Sequence, residues 1–274
     1  MMRITLRIRN KAGDVRAEAA AEDETSLVYD GEYQEGDVLE AESETPDSFL
    51  VVQLDDTAAP ALVFLKGNRF GYPVPFGEKR VSLSPRAFMG ERHLLYARRA
   101  FPEEAAARRN LAFNPLDFHE NKSLFPHASA NVETRGEAVF AARNAIDGLK
   151  ANHSHGEWPY TSWGINRDPN AAFRLDFGRE VLLDEAVLYL RADFPHDAWW
   201  KQGTLHFSDG SALELSLKKT DAGQRFRFPA KKVEWIVLDH LIRADDSSPF
   251  PALTQIEFFG HEAPSGSRGE NKRF

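Results

Sequence analysis

The chain has 274 residues, 42% of them hydrophobic and 28% charged, and its formal net charge is −8. This composition is typical of a globular protein and excludes a mainly disordered or fibrous chain. The sequence contains no cysteine, which excludes disulfides, thiolate metal ligands and cysteine nucleophiles. The negative net charge argues against nucleic acid as a partner.

Neither a membrane segment nor a secretion signal is expected, so the sequence predicts no membrane partner. No apolar run approaches the roughly 18 residues that a membrane span needs. The first residues, MMRITLRIRNKAG, alternate in polarity and lack the apolar run of a signal peptide. A cytoplasmic location is therefore expected, unless the sequence is a fragment of a larger secreted protein. The sequence leaves the oligomeric state open.

Residues 1–100 are predicted to form a small antiparallel β-sandwich domain. Ile4, Leu6 and Ile8 alternate with polar residues, which is the period of a half-buried strand. Turn dipeptides such as Asp30-Gly31 recur at about 8–12 residues, the spacing that is typical of a sandwich. The other strands predicted in this region are 26–29, 37–41, 48–54, 61–65, 80–83 and 93–97.

A short helix is predicted over residues 101–111, as the centre of a connector that spans residues 101–112. Pro102 suits the first turn of a helix, and acidic residues follow it near the positive end of the helix dipole. Arg108 and Arg109 lie near the negative end. The dipeptide Asn114-Pro115 stops the helix.

Short strands resume after residue 110 and predict a second sandwich over residues 113–262. The sequence Ser208-Asp209-Gly210-Ser211 is typical of a hairpin turn. Eight or so strands in about 150 residues fit a jelly roll. Residues 263–274 predict a polar, disordered tail. The strands predicted in this region are 138–142, 171–177, 186–190, 203–207, 212–217, 225–228, 234–238 and 255–259.

A series of short motifs within residues 110–261 carries a family resemblance. In chain order they are Asn110-Leu111-Ala112, Ala128-Ser129-Ala130, Asn144-Ala145-Ile146-Asp147-Gly148, Trp163, Phe173-Arg174-Leu175-Asp176-Phe177-Gly178, Val187-Leu188-Tyr189-Leu190-Arg191, Phe207-Ser208-Asp209-Gly210-Ser211 and Ile256-Glu257-Phe258-Phe259-Gly260. Their order resembles the galactose-binding-like superfamily, especially the discoidin or coagulation-factor type-C domain and its carbohydrate-binding modules. Residues 1–105 carry no comparable resemblance. The predicted fold class is therefore all-β, with two β-sandwich domains joined by a short helix, the second a galactose-binding-like jelly roll.

The resemblance implies a shallow sugar site in the loops at one end of the sandwich, and in many members a structural calcium ion. The family's calcium ligands match Asp147 and Glu257 of this sequence. The segment after Gly148 departs from the family's pattern, and a calcium ion wants six to eight oxygen ligands. An aspartate that caps its own turn is an equally good interpretation of Asp147.

Two loop-like segments, 152–163 and 191–201, hold four of the five tryptophans. Aromatic faces cover the apolar side of a sugar ring, and polar side chains bond its hydroxyl groups. An alternative places Trp163 and one member of the pair Trp199/Trp200 in the core. The residues predicted to bind a ligand are His153, His155, Trp158, Tyr160, Arg191, His196, Trp199 and Trp200.

The predicted function is non-catalytic binding of a carbohydrate ligand, with a structural Ca²⁺ as the one cofactor that the resemblance suggests. A polysaccharide-active hydrolase or lyase is the first alternative, because acidic residues occur near the two segments. A metal-assisted hydrolase built on three histidines and a protein–protein module are the others. The acidic residues are Glu157, Asp168, Asp193 and Asp197, and the histidines are His153, His155 and His196.

Overall fold

The computed structural model describes residues 1–154, 156–192, 198–246 and 248–264, and within them the chain is almost entirely β-structure, as predicted. The strands of the N-terminal region are β1 (Arg3–Arg9), β2 (Val15–Glu22), β3 (Glu24–Asp30), β4 (Val38–Ser43), β5 (Ser48–Gln53), β6 (Ala61–Leu65), β7 (Arg69–Pro73) and β8 (Arg92–Arg99). They are followed by helix α1 (Pro102–Ala106) and strands β9 (Arg109–Asn110), β10 (Leu124–Phe125), β11 (His127–Ala130), β12 (Trp163–Gly164), β13 (Phe173–Leu190), β14 (Trp200–Phe207), β15 (Ala212–Ser216), β16 (Gln224–Arg243) and β17 (Ala252–Glu262).

Two antiparallel sheets enclose the hydrophobic core of the N-terminal region. One sheet has the strand order β2-β1-β4-β7, and the other has the order β10-β6-β5-β8-β3. Ile4 and Leu39 of the first sheet share a buried cluster with Leu50 and Leu95 of the second. This is the sandwich that the alternating pattern of residues 1–100 predicts, because each sheet buries one apolar face against the other.

The C-terminal region is built on a sheet with the strand order β12-β17-β13-β16-β14-β15, to which β9 and β11 add short pairings. Strand β13 is long because it changes partners along its length. Its first residues pair with β11, and from Val181 onward it pairs with β17. Its pairing with β16 shifts register between Asp176 and Val181. Such breaks let a strand turn a corner and contribute to both layers of a closed core.

The core of the C-terminal region is large and aromatic. Trp163 and Trp200 are almost fully buried, and their ring centroids lie 6.3 Å apart. Phe173, Phe207 and Phe258 belong to the same cluster. These rings pack with the aliphatic side chains of the same cluster and hold its strands together.

Three predicted elements differ from the structure. Helix α1 ends at Ala106 because the backbone of Arg109–Asn110 pairs with β17. The predicted strand 80–83 is wrong: a 3₁₀ helix, Gly77–Arg80, and a following turn occupy this segment. The predicted strand 138–142 is wrong for a similar reason, because the Asn144 side chain bonds the Ala138 carbonyl and holds two short 3₁₀ helices, Ala138–Phe140 and Ala142–Ile146.

Residues 113–125, predicted to belong to the second domain, pack against the N-terminal region in the structure. Leu124 and Phe125 pair with β6, and Leu116 joins the N-terminal core. The fully buried Asp117 accepts hydrogen bonds from the backbone nitrogen of Ala128 and the side chain of Asn121, each at 2.8 Å. The division into domains at residues 100 and 113 remains a prediction.

Residues 265–274 of the predicted tail lie outside the described residues. Among the helices of the described chain, none has the length and apolar character required to cross a membrane.

Candidate functional site

A cleft of about 370 Å³ lies beside β12 and the start of β17. We call it the aromatic cleft, because Phe140, Tyr160 and Phe250 line it. Its volume falls within the range of about 300–1,000 Å³ that is usual for small-molecule sites. The polar side chains that line it are Thr134, Arg135, Glu137, Asn166, Arg167 and Arg191.

One wall is the turn that precedes the 3₁₀ helix Ala138–Phe140. The Arg135 guanidinium lies 5.6 Å from the centroid of the Phe140 ring. It also donates to both carboxylate oxygens of Glu137, from Nε at 2.5 Å and from Nη2 at 2.7 Å. The hydrogen bond from Arg135 lowers the pKa of Glu137, so this carboxylate stays ionised.

The opposite wall is the turn that follows β12. The backbone nitrogen of Asn166 donates to Thr134 Oγ1 at 2.9 Å, which ties this turn to the first wall. A side chain at Gly164 would meet the same hydroxyl at 2.6 Å, so the close approach requires glycine. The guanidinium of Arg167 lies 4.3 Å from the centroid of the Phe250 ring.

Three side chains of the cleft come from residues in the left-handed backbone conformation. The φ angles are 54° at Arg135, 49° at Asn166 and 64° at Arg167. This conformation costs on the order of 1 kcal/mol or more for a residue with a Cβ, and such residues concentrate at binding and catalytic sites. The two walls are therefore held in an unfavourable backbone conformation around one cleft.

Arg191 forms part of the cleft surface and organises the loop above it. Its side chain is 3% exposed. Nη1 donates to the carbonyl of Tyr160 at 2.5 Å, and Nη2 donates to the carbonyl of Ser154 at 3.3 Å. The guanidinium also lies 5.7 Å from the centroid of the Tyr160 ring. Arg191 thus fixes the position of Tyr160 in the cleft.

The tryptophans predicted to bind a ligand do not line this cleft. Trp158 lines a second cleft of about 200 Å³, together with Asp55 of the N-terminal region and Asp147. Trp199 packs, half-buried, against the C-terminal core. Trp200 is 1% exposed, so its predicted contact with a ligand conflicts with its place in the core. Trp163 is fully buried, as the alternative interpretation of the sequence has it.

The remaining predicted residues have different positions. His153 is exposed, and its backbone nitrogen bonds the Pro159 carbonyl. Asp168 holds a turn by accepting from the backbone of Asn170 at 2.8 Å, and Glu157 is exposed. His155 and His196, like Asp193 and Asp197, lie outside the described residues.

The residues that the resemblance assigns to calcium do not fit that ion. The side-chain nitrogen of Gln255 donates to the Asn144 carbonyl at 2.5 Å and to Asp147 Oδ1 at 2.7 Å. Its side-chain oxygen accepts from the backbone of Gly148 at 3.0 Å. The Asp147 oxygen proposed as a cation ligand is therefore hydrogen-bonded to an amide donor in this structure.

Glu257, the second predicted calcium ligand, is engaged elsewhere. Its carboxylate forms an ion pair with the Lys150 ammonium at 2.6 Å and accepts a hydrogen bond from the Tyr189 hydroxyl at 3.3 Å. Burial raises the pKa of Asp147 to about 6.

Several polar residues of the cleft were not anticipated from the sequence: Arg135, Glu137, Asn166 and Arg167. Tyr160 and Arg191 were among the predicted residues. The turn residues Asn166 and Asp168-Pro169 are a local signal for a loop. The left-handed conformation of Arg167 leaves no such signal in the sequence.

Comparisons with known proteins found similar solved structures but no sequence family. No protein-family model and no curated protein matches the chain. Chitosan-binding module 1, from a chitosanase/glucanase of Paenibacillus sp. IK-5, is 19% identical, covers 56% of this chain and 99% of its own, and has a TM-score of 0.40. The lectin domain of Lectinolysin in complex with Lewis B antigen is 18% identical, with coverages of 57% and 98% and a TM-score of 0.41.

A fucose-binding module from Streptococcus pneumoniae is also similar, at 14% identity, with coverages of 56% and 99% and a TM-score of 0.40. Each of these modules matches over nearly its whole length and covers little more than half of this chain.

Proposed function

We propose that the aromatic cleft binds a carbohydrate without cleaving it. The observation that carries the proposal is the combination of half-buried rings, Tyr160 and Phe250, with exposed hydrogen-bonding side chains, Asn166 and Arg167, around one cleft. A sugar ring has an apolar C–H face and a rim of hydroxyl groups, and it needs both kinds of contact. Binding is expected to be weak, with a Kd of roughly micromolar to millimolar.

Binding without hydrolysis follows from the acidic side chains of the cleft. Hydrolysis of a glycosidic bond ordinarily needs two carboxyl groups, one of them with a raised pKa so that it can donate a proton. Among the described residues that line the cleft, Glu137 is the carboxylate, and its hydrogen bond with Arg135 lowers its pKa. Glu137 therefore suits an ion pair and is a poor general acid.

A glycan array followed by calorimetry on the best-binding sugars tests the proposal. Neutral and acidic glycans belong on the array, because the cleft contains both aromatic and charged side chains. Phe250→Ala and Tyr160→Ala are expected to weaken binding at least tenfold, which equals about 1.4 kcal/mol. Far-UV circular dichroism is expected to stay unchanged, since both rings lie at the surface of the fold.

Trp158→Ala and Trp199→Ala are the matched controls. Each removes a half-buried aromatic side chain from one of the two tryptophan-rich segments, 152–163 and 191–201. Neither side chain lines the aromatic cleft. We expect them to bind sugar like the unchanged protein. Loss of binding in Trp158→Ala with full binding in Phe250→Ala would move the site to the second cleft. Release of reducing ends from any polysaccharide would overturn the non-catalytic proposal. The cytoplasmic location expected from the sequence stays a prediction.

A further inference from the structure

Two histidines and an aspartate meet on the face of β14 and β16 that points away from the core. His206 Nε2 lies 3.0 Å from Asp239 Oδ1, and His240 Nδ1 lies 2.6 Å from the same oxygen. All three ligand atoms lie within 4.8 Å of one another. We call these residues the His–Asp–His cluster. None of them lines the aromatic cleft as described.

A β-bulge brings Asp239 and His240 to the same face. Consecutive residues of a regular strand point to opposite faces of the sheet. Between Gln202 and Thr204 the register with β16 shifts, so that Gly203 faces two residues of the other strand. His240 has a φ of 45°, a left-handed conformation that is unfavourable for histidine. Bulges commonly redirect a side chain toward a functional site.

His206 contributes a second observation. Its Nε2 atom is shielded from solvent and, among the described residues, makes no hydrogen bond of acceptable geometry, although the Asp239 carboxylate is 3.0 Å away. A ring nitrogen that is shielded from water normally forms a hydrogen bond, so its poor alignment with a nearby carboxylate needs a physical explanation. A shared ion between the two atoms supplies that reason.

We propose that the His–Asp–His cluster binds a divalent transition-metal ion, with Zn²⁺ as the ion of first choice. Two imidazole nitrogens and one carboxylate oxygen are ligands that zinc prefers, whereas calcium and magnesium prefer oxygen. Metal–ligand distances of about 2.0–2.1 Å place the ligand atoms of a tetrahedral site about 3.3 Å apart. The separations of 2.6 and 3.0 Å from Asp239 Oδ1 are shorter than this value, so coordination requires the two imidazole nitrogens to move away from the carboxylate, and water would complete the coordination.

The metal links β14 to β16 directly beside the bulge. At this point the register shift interrupts the ladder of backbone hydrogen bonds between the two strands. An ion that binds the folded state raises its stability by mass action. The site is therefore structural, and it is independent of sugar binding in the aromatic cleft.

Calorimetric titration of the tag-free, chelator-treated full chain with ZnCl₂ tests the proposal. One zinc ion per chain and a rise in melting temperature are expected. Co²⁺ in place of zinc is expected to give the visible absorption of a four-coordinate site. His206→Ala, His240→Ala and Asp239→Asn are each expected to weaken zinc binding at least tenfold. Asp239→Asn keeps the side-chain shape, so its fold is retained even where an alanine variant unfolds.

His153→Ala is the matched control, because it removes an exposed histidine outside the cluster. His153 is also one of the three histidines that the sequence analysis gives as an alternative metal site. We expect this variant to bind zinc with unchanged affinity. The proposal fails if the unchanged chain binds no zinc at free zinc concentrations up to about 100 μM. A site weaker than this would contribute little to the stability of the folded chain. It also fails if His153→Ala loses zinc and His206→Ala keeps it.

Discussion

Buried polar side chains reach over different distances along the chain in the two regions. In the N-terminal region Asp37 accepts from the backbone of Gln34, three residues away, at 2.8 Å. Asp55 accepts from the backbone of Thr57, two residues away, at 2.9 Å, and from the backbone of Phe88, 33 residues away, at 2.7 Å. The bonds to Gln34 and Thr57 close local turns.

In the C-terminal region the corresponding bonds join distant segments. Arg191 reaches the carbonyl of Tyr160, 31 residues away, and Gln255 reaches that of Asn144, 111 residues away. The loops that form the aromatic cleft are therefore held by long-range bonds. The comparison teaches that a single substitution far along the chain from a loop can change the C-terminal site, whereas the N-terminal turns combine local bonds with bonds of intermediate range such as that of Asp55 to Phe88.

The largest expected effect on stability comes from removing a large buried ring from either core. Trp163→Ala and Phe70→Ala each remove a nearly fully buried ring, which costs about 3–5 kcal/mol of unfolding free energy. All five tryptophans lie at residues 158–235, so tryptophan fluorescence reports the C-terminal region, and far-UV circular dichroism reports both regions. If the two regions are separate domains, Phe70→Ala lowers the denaturation midpoint seen by circular dichroism and leaves the fluorescence midpoint in place. Coincident midpoints in every variant would contradict the predicted division into domains.

Loss of Arg191 tests the long-range bonds. Arg191→Ala is expected to cost about 1–3 kcal/mol, because two backbone carbonyls lose a buried donor. Amide hydrogen exchange is expected to rise in residues 153–160 and to stay unchanged in the N-terminal sheets. Sugar binding is expected to fall at least tenfold through misplacement of Tyr160. Arg191→Lys keeps the charge but not the two-carbonyl contact, so a variant that retains normal exchange would show that the charge alone suffices.

A third prediction concerns pH and Asp147. Its pKa in the folded chain, about 6, lies above the ordinary value of 3.8. The protonated form is therefore favoured by folding, and this stabilisation is complete below pH about 4 and is lost as the pH rises through about 6. Asp147→Asn is expected to raise stability at pH 7.5 by about 1–2 kcal/mol, after allowance for solvent screening, and to change nothing at pH 4.

The asparagine retains the contacts, because Leu149 and Gln255 both donate to the one oxygen Oδ1. Thermal melts at the two pH values, with and without calcium and chelator, measure the effect. A calcium site would give the reverse result, with Asp147→Asn less stable at pH 7.5 and insensitive to chelator.

The smallest expected effect compares left-handed residues of the two regions. Arg167→Gly removes an unfavourable backbone conformation and is expected to stabilise the fold by about 0.5 kcal/mol, while it weakens sugar binding. Asp47, with a φ of 53°, offsets its conformation by accepting from the backbone of Gly67 at 2.8 Å. Asp47→Gly is therefore expected to gain no stability. Chemical denaturation of both variants measures the difference, and a destabilised Arg167→Gly would show that its backbone is not strained.

Local patterns sufficed for much of the N-terminal region but not for all of it. The apolar run of β6 was predicted with the bounds that the structure has, Ala61–Leu65. Strand β2 (Val15–Glu22) was missed because alanine and glutamate have low strand propensity. Strand β7 (Arg69–Pro73) was missed because glycine and proline mask it.

The candidate site was harder to predict from such patterns. Residues 152–163 were predicted to contribute to a ligand site because they are rich in tryptophan, and Tyr160 of this segment does line the cleft. The ring of Trp200 lies in the core because strand alternation places it on the buried face, a fact that requires the strand's register. Arg135 and Arg167 enter the cleft through left-handed turns, and Gln255 engages Asp147 through a side-chain hydrogen bond. Neither feature has a period or motif that a single sequence displays.

The pairing of β9 with β17 has a consequence for synthesis on the ribosome. Residues Arg109–Asn110 open the C-terminal region and are hydrogen-bonded to Phe259 and Gly260 near its end. The N-terminal core needs no strand beyond β10, at Leu124–Phe125. If the two regions are separate domains, as the sequence predicts, the N-terminal core closes while the rest of the chain is still being translated, since domains fold from the N-terminus as they emerge. The C-terminal core can close only after β17 has been synthesised. Until then its tryptophan side chains are not buried in a complete core.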